Sequence, residues 1–238
     1  MSLGEIITDA VKYPFSDITK FLIVGVLAVL AGLNSIVYPN GDGNAVISLI
    51  LVLISLIFAL ILSGYSVNVI KNAIQNSSAI PDVDPVANLV DGIKVIIIGI
   101  VYFIIPLIIA FIFGGLTSFV GAGLNHAGAG IGIGVIVSFI VFIIFAIFET
   151  VAVSRFADSG ELGAAFNFGA VIEDAKRIGF LNIILYVIVA VIILLIISFI
   201  VGLLAIIPFI GVLIATIILG GFFTLFYYRG IGLLYASA

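Results

Sequence analysis

The sequence contains no cysteine and few charged residues among its 238 positions. Without cysteine the chain forms no disulfide, no thiolate metal site and no cysteine nucleophile, and the redox compartment stays open. Charged residues make up 8% of the chain, against about 25% in an ordinary soluble domain. Because a soluble fold needs polar residues to cover its surface, this composition predicts a protein whose outer surface faces lipid.

Signatures of nucleic-acid binding and catalysis are also lacking. Eight Lys/Arg and twelve Asp/Glu residues give a net charge of −4 without a basic patch, so we expect no nucleic-acid partner. The sequence has no Gly-x-Ser-x-Gly motif, no P-loop and no paired His and Glu for zinc. The single histidine, His126, has no neighbouring carboxylate and makes a poor metal site. We therefore predict that the chain is not an enzyme and holds no cofactor or metal.

Long apolar runs dominate the sequence instead. A membrane-spanning helix needs about 20 mostly apolar residues. The uncharged stretch 178–228 has 51 residues, and as one straight helix it would measure about 75 Å, so it must fold back once. We place the turn at 204–207, because Pro208 suits the first position of a helix. The sequence thus predicts an all-α integral membrane protein with about six spans: 21–38, 45–67, 95–118, 131–153, 178–203 and 208–228.

The basic residues all fall on one side of these predicted spans. The connections at 39–44, 119–130 and 204–207 contain no Lys or Arg. The eight basic residues flank the termini and the other two connections: Lys12, Lys20, Lys71, Lys94, Arg155, Lys176, Arg177 and Arg229. Because Lys and Arg accumulate on the cytoplasmic side, we predict a multi-pass cell-membrane protein with both termini in the cytoplasm.

A short motif occurs three times at nearly equal spacing. It reads apolar, any residue, Asp, small, any residue, basic, and it lies at 7–12, 89–94 and 172–177. The aspartates are 82 and 83 residues apart, and each motif is followed by two predicted spans and one basic residue. The sequence therefore predicts one membrane domain, 1–238, built from three parallel repeats at about 1–83, 84–165 and 166–238.

Each repeat opens with an amphipathic stretch whose apolar residues follow the spacing of one helix face. Short helices of this kind suit the membrane interface. The aspartate and the basic residue three positions later can meet on the polar face, which gives three predicted ion pairs: Asp9–Lys12, Asp91–Lys94 and Asp174–Arg177. An exposed pair contributes only about 0.2–0.5 kcal/mol, so a plain solvated helix face is the competing interpretation.

Glu149 is the one acidic residue inside a predicted span. It lies six residues before Arg155, which is about 9 Å deeper along a helix. A charge at the bilayer centre costs roughly 2.5–3.5 kcal/mol or more. One interpretation is a ligand, ion or proton site, or a polar anchor between hairpins. The other is an interfacial carboxylate that extends toward Arg155 or Lys176.

Two segments resemble a known family. The first contains Gly64-Tyr65, Ile70-Lys71, Ile80-Pro81-Asp82 and Gly92-Ile93-Lys94. The second contains Arg155-Phe156-Ala157, Gly160, Ala164-Ala165-Phe166 and Val171. Together they resemble an archaeal family of multi-spanning membrane proteins that is catalogued only as a domain of unknown function. The resemblance extends from about residue 5 to 235 and implies an archaeal cell membrane, with no activity or catalytic residues attached.

Two functional hypotheses follow from this organisation. In the first, three like-oriented hairpins surround a cavity and transport a small or lipidic ligand, with Glu149 as its polar contact. In the second, the chain is a structural or assembly protein whose cytoplasmic helices dock a protein partner through residues 156–177 or sense lipid. Besides the lipid bilayer, both leave open a protein partner or a second copy of the chain packed through the membrane helices.

Overall fold

The computed structural model describes residues 1–38, 41, 43–123, 127–207 and 210–238. Throughout these ranges the regular structure is helical, and ten α-helices follow one another along the chain. Short 3-10 turns at Tyr13–Phe15 and Leu203–Ile206 join some of them. The helices are α1 (Leu3–Lys12), α2 (Ile18–Ala31), α3 (Leu33–Val37), α4 (Ala45–Ile74), α5 (Pro85–Gly123), α6 (Ala127–Ser159), α7 (Leu162–Ala165), α8 (Phe168–Ile178), α9 (Phe180–Gly202) and α10 (Ile210–Ala236).

Five helices, α4, α5, α6, α9 and α10, contain stretches long and apolar enough to cross a membrane. Their outward faces carry large exposed apolar side chains, among them Leu49, Leu107 and Leu195. Exposed apolar surface on this scale marks contact with lipid or a partner rather than with water. The prediction of an all-helical chain with long apolar helices is thereby confirmed, and their number is five to six where about six spans were predicted.

The predicted first span, 21–38, takes a different form. The helix α2 has 14 residues and ends at Ala31, and after the cap residue Gly32 the short helix α3 begins at Leu33. At its other end, the segment Leu3–Phe15 meets α2 at an angle of 87°. Pro14 and the N-cap Asp17, whose carboxylate accepts a hydrogen bond from the Lys20 N–H at 3.0 Å, separate the two helices. The long helices therefore number five, or six if this bent pair counts as one span.

The amphipathic stretch that opens the second predicted repeat, residues 86–93, does not form a separate interfacial helix. It is the first part of α5, whose start is capped by the Asp84 carboxylate, an acceptor for the N–H groups of Val86 and Ala87. The corresponding stretches in α1 and α8 do end before the next helix, at Pro14 and at Gly179, which has φ +90°. No proline or positive-φ glycine interrupts α5 at this point, so its helix continues into the apolar run.

Four of the five long helices, all but α9, extend beyond the limits predicted from hydropathy. The second helices of the three hairpins, α4, α6 and α10, continue past their basic residue to Ile74, Ser159 and Ala236. In the connection predicted at 119–130, α5 continues to Gly123 and α6 begins at Ala127. Hydropathy marks where a chain leaves lipid, whereas a helix ends only where its backbone geometry changes. The predicted helix start at Pro208 and the loop residue His126 lie outside the described residues.

Glycines allow the closest helix contacts. A methyl group on Gly64 of α4 would collide with the Asn88 carbonyl of α5, and one on Gly92 would collide with the Leu60 carbonyl. A methyl group on Gly221 of α10 would lie 2.9 Å from the Phe21 carbonyl oxygen of α2. Small residues let membrane helices approach to backbone contact, so these glycines set the spacing of α4 against α5 and of α2 against α10.

Candidate functional site

A cavity of about 200 Å³ lies between α4, α5, α6 and α10. Its polar lining consists of Glu149 and Thr150 on α6, Ser66 on α4, and Tyr227 and Tyr228 on α10. Apolar side chains complete the wall: Ile70, Val95, Val153 and Ile231. Helices from all three predicted hairpins therefore meet at this cavity.

Glu149 is a partly exposed side chain in this lining. Among the described residues, neither an ion pair nor a hydrogen bond engages its carboxylate. Arg155, a partner considered in the interfacial interpretation, instead binds Asp174. The structure thus places Glu149 at a cavity between helices, and its role as a ligand contact stays a prediction.

The two hydroxyl residues beside Glu149 present acceptors to the cavity. The Thr150 hydroxyl donates its hydrogen to the Ala146 carbonyl at 2.8 Å, and the Ser66 hydroxyl donates to the Ser63 carbonyl at 2.6 Å. Because each hydroxyl proton is already used within its own helix, the oxygen lone pairs are what a ligand would meet. These positions therefore favour a ligand that donates hydrogen bonds or carries positive charge.

Two tyrosines form the α10 side of the cavity. The rings of Tyr227 and Tyr228 lie edge to face, with centroids 5.3 Å apart. The buried Tyr186 of α9 donates its hydroxyl hydrogen to the Tyr227 carbonyl at 2.9 Å, which holds α9 against α10. A methyl group on Gly230 would collide with the Tyr186 ring, so this contact depends on a residue without a side chain.

A second cavity, of about 280 Å³, lies between α6, α9 and α10. Apart from Thr150 and Tyr227, which also line the first cavity, its lining is aliphatic. The aliphatic residues are Ile143, Ala146, Ile147, Ile183, Ile184, Val187 and Ile188. A polar cavity and an apolar one therefore adjoin at Thr150 and Tyr227.

A charged cluster fixes α8 to the end of the bundle. Arg155 of α6 donates to Asp174 of α8, whose side chain is only 10% exposed. The Arg177 guanidinium lies 3.0 Å from the same carboxylate, and the Tyr235 hydroxyl donates to it at 3.1 Å. Asp174 therefore has partners on three helices, α6, α8 and α10, and its predicted neighbour Arg177 is one of them.

The other two predicted pairs differ from each other. Asp91 and Lys94 lie 2.8 Å apart, both partly exposed. Asp9, by contrast, accepts a hydrogen bond from Arg229 at 2.8 Å, while Lys12 belongs to no ion pair within the described ranges. The Arg229 side chain is 4% exposed and also donates to the Ser77 carbonyl.

Sequence reasoning missed the contacts that join one predicted repeat to another. Arg155 follows the second hairpin and binds the aspartate of the third repeat, and Arg229 follows the third hairpin and binds the aspartate of the first. It also missed the hydroxyl residues Ser66 and Thr150 of the cavity, which stand five positions before Lys71 and Arg155. Thr224 occupies the corresponding position before Arg229 but is not among the lining residues of this cavity.

Comparison with known proteins places the chain near others that have no assigned activity. Residues 47–206 match a family described as "Protein of unknown function (DUF4013)". A curated relative, the uncharacterized protein MJ1189 of Methanocaldococcus jannaschii, is 30% identical over 230 residues, covering 85% of this chain and 76% of the relative. No solved structure matches the chain.

Proposed function

The chain belongs to this DUF4013 family, as the resemblance in its sequence predicted, and from its geometry we propose that it binds a small or amphiphilic ligand inside the membrane and transports it. The observation that carries this proposal is the position of Glu149, a carboxylate in a cavity between helices without a described partner. An ionisable residue within a membrane segment is costly, and such residues mark ligand and ion pathways.

Three parallel repeats around the cavity are the architecture that this function would use. Two observations support the repeats. The residue three positions before each motif aspartate is buried to within 1% exposure: Ile6, Asn88 and Val171. The Arg155–Asp174 and Arg229–Asp9 contacts join the second repeat to the third and the third to the first. These are two of the three links that a closed ring would have, whereas Asp91 of the second repeat pairs with Lys94 of the same repeat.

The basic residues at one end of the bundle support a cytoplasmic location for both termini. Arg155, Arg177 and Arg229 lie in contact with α1 or α8 through the ion pairs already given. Lys20 lies 2.8 Å from Asp82 in the connection between α4 and α5. Because positive residues accumulate on the cytoplasmic side, we propose that this end faces the cytoplasm of a cell membrane.

Exposed apolar residues on α8 favour a second candidate function, a structural or assembly role. Phe168 and Ile172 are 46% and 38% exposed at the same end of the molecule as the basic residues Lys176 and Arg177. Such a surface suits a docked protein or the lipid interface. It predicts a partner whose co-purification is lost when Phe168 and Ile172 are replaced by serine, with transport absent throughout.

Transport is tested with purified protein reconstituted in lipid vesicles. A panel of small cations, neutral polar solutes and single-chain amphiphiles is compared for the unaltered chain, Glu149→Gln and the control Glu161→Gln, which changes an exposed acid. We expect the Glu149→Gln substitution to lower flux of the transported compound about tenfold, since a hydrogen bond to a charged group contributes roughly 1.5 kcal/mol or more. Flux equal to that of empty vesicles for every compound would rule out transport.

A further inference from the structure

The apolar cavity beside Glu149 opens toward the lipid. Its rim includes Ile143, Ile184 and Ile188, whose side chains are 42%, 36% and 49% exposed on the outer faces of α6 and α9. The helix α9 contacts α10 through Tyr186, and it contacts α6 through Phe180, whose ring lies edge to face with Phe148 at 6.0 Å. Beyond the Phe148–Phe180 contact, the exposed isoleucines border the space between α6 and α9, so this space is a lateral opening rather than a pore along the bundle axis.

The direction of this opening matches the orientation of an amphiphile in a leaflet. On α6 the lining descends from Thr150 to Ile143, about 10 Å further from Arg155 and toward the centre of the bilayer. Glu149 lies at the end nearer Arg155. A lipid-like molecule in that leaflet likewise keeps its headgroup toward the interface and its chain toward the centre, so it would meet both cavities without turning over.

The polar lining selects the charge of the headgroup. It offers a carboxylate, the acceptor oxygens of Ser66 and Thr150, and the rings of Tyr227 and Tyr228. The carboxylate attracts an ammonium group by its opposite charge. No Lys or Arg is among the described residues that line either cavity, so a phosphate or sulfate headgroup would meet repulsion from Glu149 without a compensating cation there.

We propose that the ligand is a single-chain ammonium amphiphile that enters from the lipid between α6 and α9. Its chain occupies the apolar cavity, and its headgroup passes Thr150 and Tyr227 to reach Glu149. An engineered apolar cavity of about 150 Å³ is enough to bind benzene, so about 280 Å³ accommodates a substantial part of an alkyl chain. This inference rests on the proposed function for its use of the Glu149 cavity, but binding itself requires no transport.

The test uses the full chain in lipid nanodiscs and two radiolabelled probes, dodecyltrimethylammonium and tetramethylammonium. Ile184 lines the apolar cavity and Leu185 does not, although the two are similarly exposed at 36% and 39%. We expect Ile184→Trp to weaken dodecyltrimethylammonium binding at least tenfold and Leu185→Trp to leave it unchanged. Neither substitution should alter tetramethylammonium binding, which also shows that both variants are folded. Glu149→Gln should weaken binding of both probes.

Opposite results separate the two proposals. If Ile184→Trp and a second variant on the facing wall, Ala146→Phe, both bind dodecyltrimethylammonium like the unaltered chain, lateral entry is wrong. If dodecyl sulfate bound as tightly as dodecyltrimethylammonium or more tightly, the proposal of an ammonium headgroup would be wrong. If the variants bind the two probes as expected but no compound is transported in vesicles, the transport proposal is wrong and the proposal of an ammonium amphiphile as ligand stands. If small cations are transported in a way that depends on Glu149, while Ile184→Trp and Ala146→Phe leave dodecyltrimethylammonium binding unchanged, the transport proposal stands and lateral entry is wrong.

Discussion

Replacing Gly92 by alanine is expected to lower the free energy of unfolding by about 3 kcal/mol, at the upper end of the usual cost of overpacking. The added methyl group would collide with the Leu60 carbonyl, and a backbone oxygen inside a helix cannot move aside as a flexible side chain can. Intrinsic helix propensity favours alanine over glycine by about 1 kcal/mol. A net loss of stability must therefore come from the collision between α4 and α5 rather than from the propensity of the helix. Unfolding by denaturing detergent, followed by circular dichroism, measures the change.

Gly99 provides the matched control on the same helix. Apart from its chain neighbours and the backbone of its own helix, no atom of the described residues lies within 4 Å of the position that its added methyl group would occupy. Gly99→Ala should therefore leave stability unchanged or raise it by up to about 1 kcal/mol. Equal effects of the Gly92 and Gly99 substitutions would show that α4 and α5 are not packed backbone to backbone at Gly64 and Gly92.

Replacing Asp174 by asparagine should lower the free energy of unfolding by about 2 kcal/mol, because hydrogen bonds to charged groups contribute roughly 1.5–3 kcal/mol and the substitution leaves Arg155, 24% exposed, without its carboxylate. The substitution removes the carboxylate that Arg155, Arg177 and Tyr235 share. It retains the size of the side chain, so the loss of stability is due to the missing charge rather than to altered packing. Besides the loss of stability, limited proteolysis should cut α8 faster, since the cluster fixes that helix to α6 and α10.

Asp91 is the control for this substitution, because it occupies the same motif position. Its described ion pair is with Lys94, and the two side chains are 24% and 31% exposed. A partly exposed pair three residues apart contributes about 0.2–0.5 kcal/mol, so Asp91→Asn should change stability by no more than that. If Asp91→Asn lowered the free energy of unfolding as much as Asp174→Asn, the partners of Asp174 on other helices would not be what makes it important for stability.

The sequence alone predicted much of the fold, because lipid imposes a simple rule. A scarcity of charge and runs of about 20 apolar residues require helices that cross a bilayer, and the five long helices fall where those runs occur. Hydropathy was a poor guide to the first span, where Pro14, Asp17 and Gly32 interrupt the helix. It also missed the continuity of 86–93 with α5, since an amphipathic pattern does not determine whether a helix ends.

The site was predictable only in part. Glu149 was identified because a lone acid in an apolar run is conspicuous. Its neighbours Ser66, Tyr227 and Tyr228 come from α4 and α10, and no local pattern reveals which faces of distant helices meet. The same limit explains Asp9, whose partner Arg229 lies 220 positions away in the sequence. Spacing within a motif predicts neighbours on one helix, whereas partners on other helices depend on how the bundle packs.

A thiol at position 150 gives the most direct test of a polar, negatively charged cavity at Glu149. The chain has no cysteine, so Thr150→Cys introduces a single reactive group into the cavity lining, and Ile144→Cys places one on the exposed face of the same helix. In nanodiscs we expect a positively charged trimethylammonium thiosulfonate to modify the cysteine at position 150 at least tenfold faster than a negatively charged sulfonate thiosulfonate of similar size. The Glu149→Gln substitution should remove this difference in rate. The cysteine at position 144 should react with neither reagent. Equal rates for the two reagents at position 150, or no reaction there, would contradict the cavity and the role proposed for Glu149.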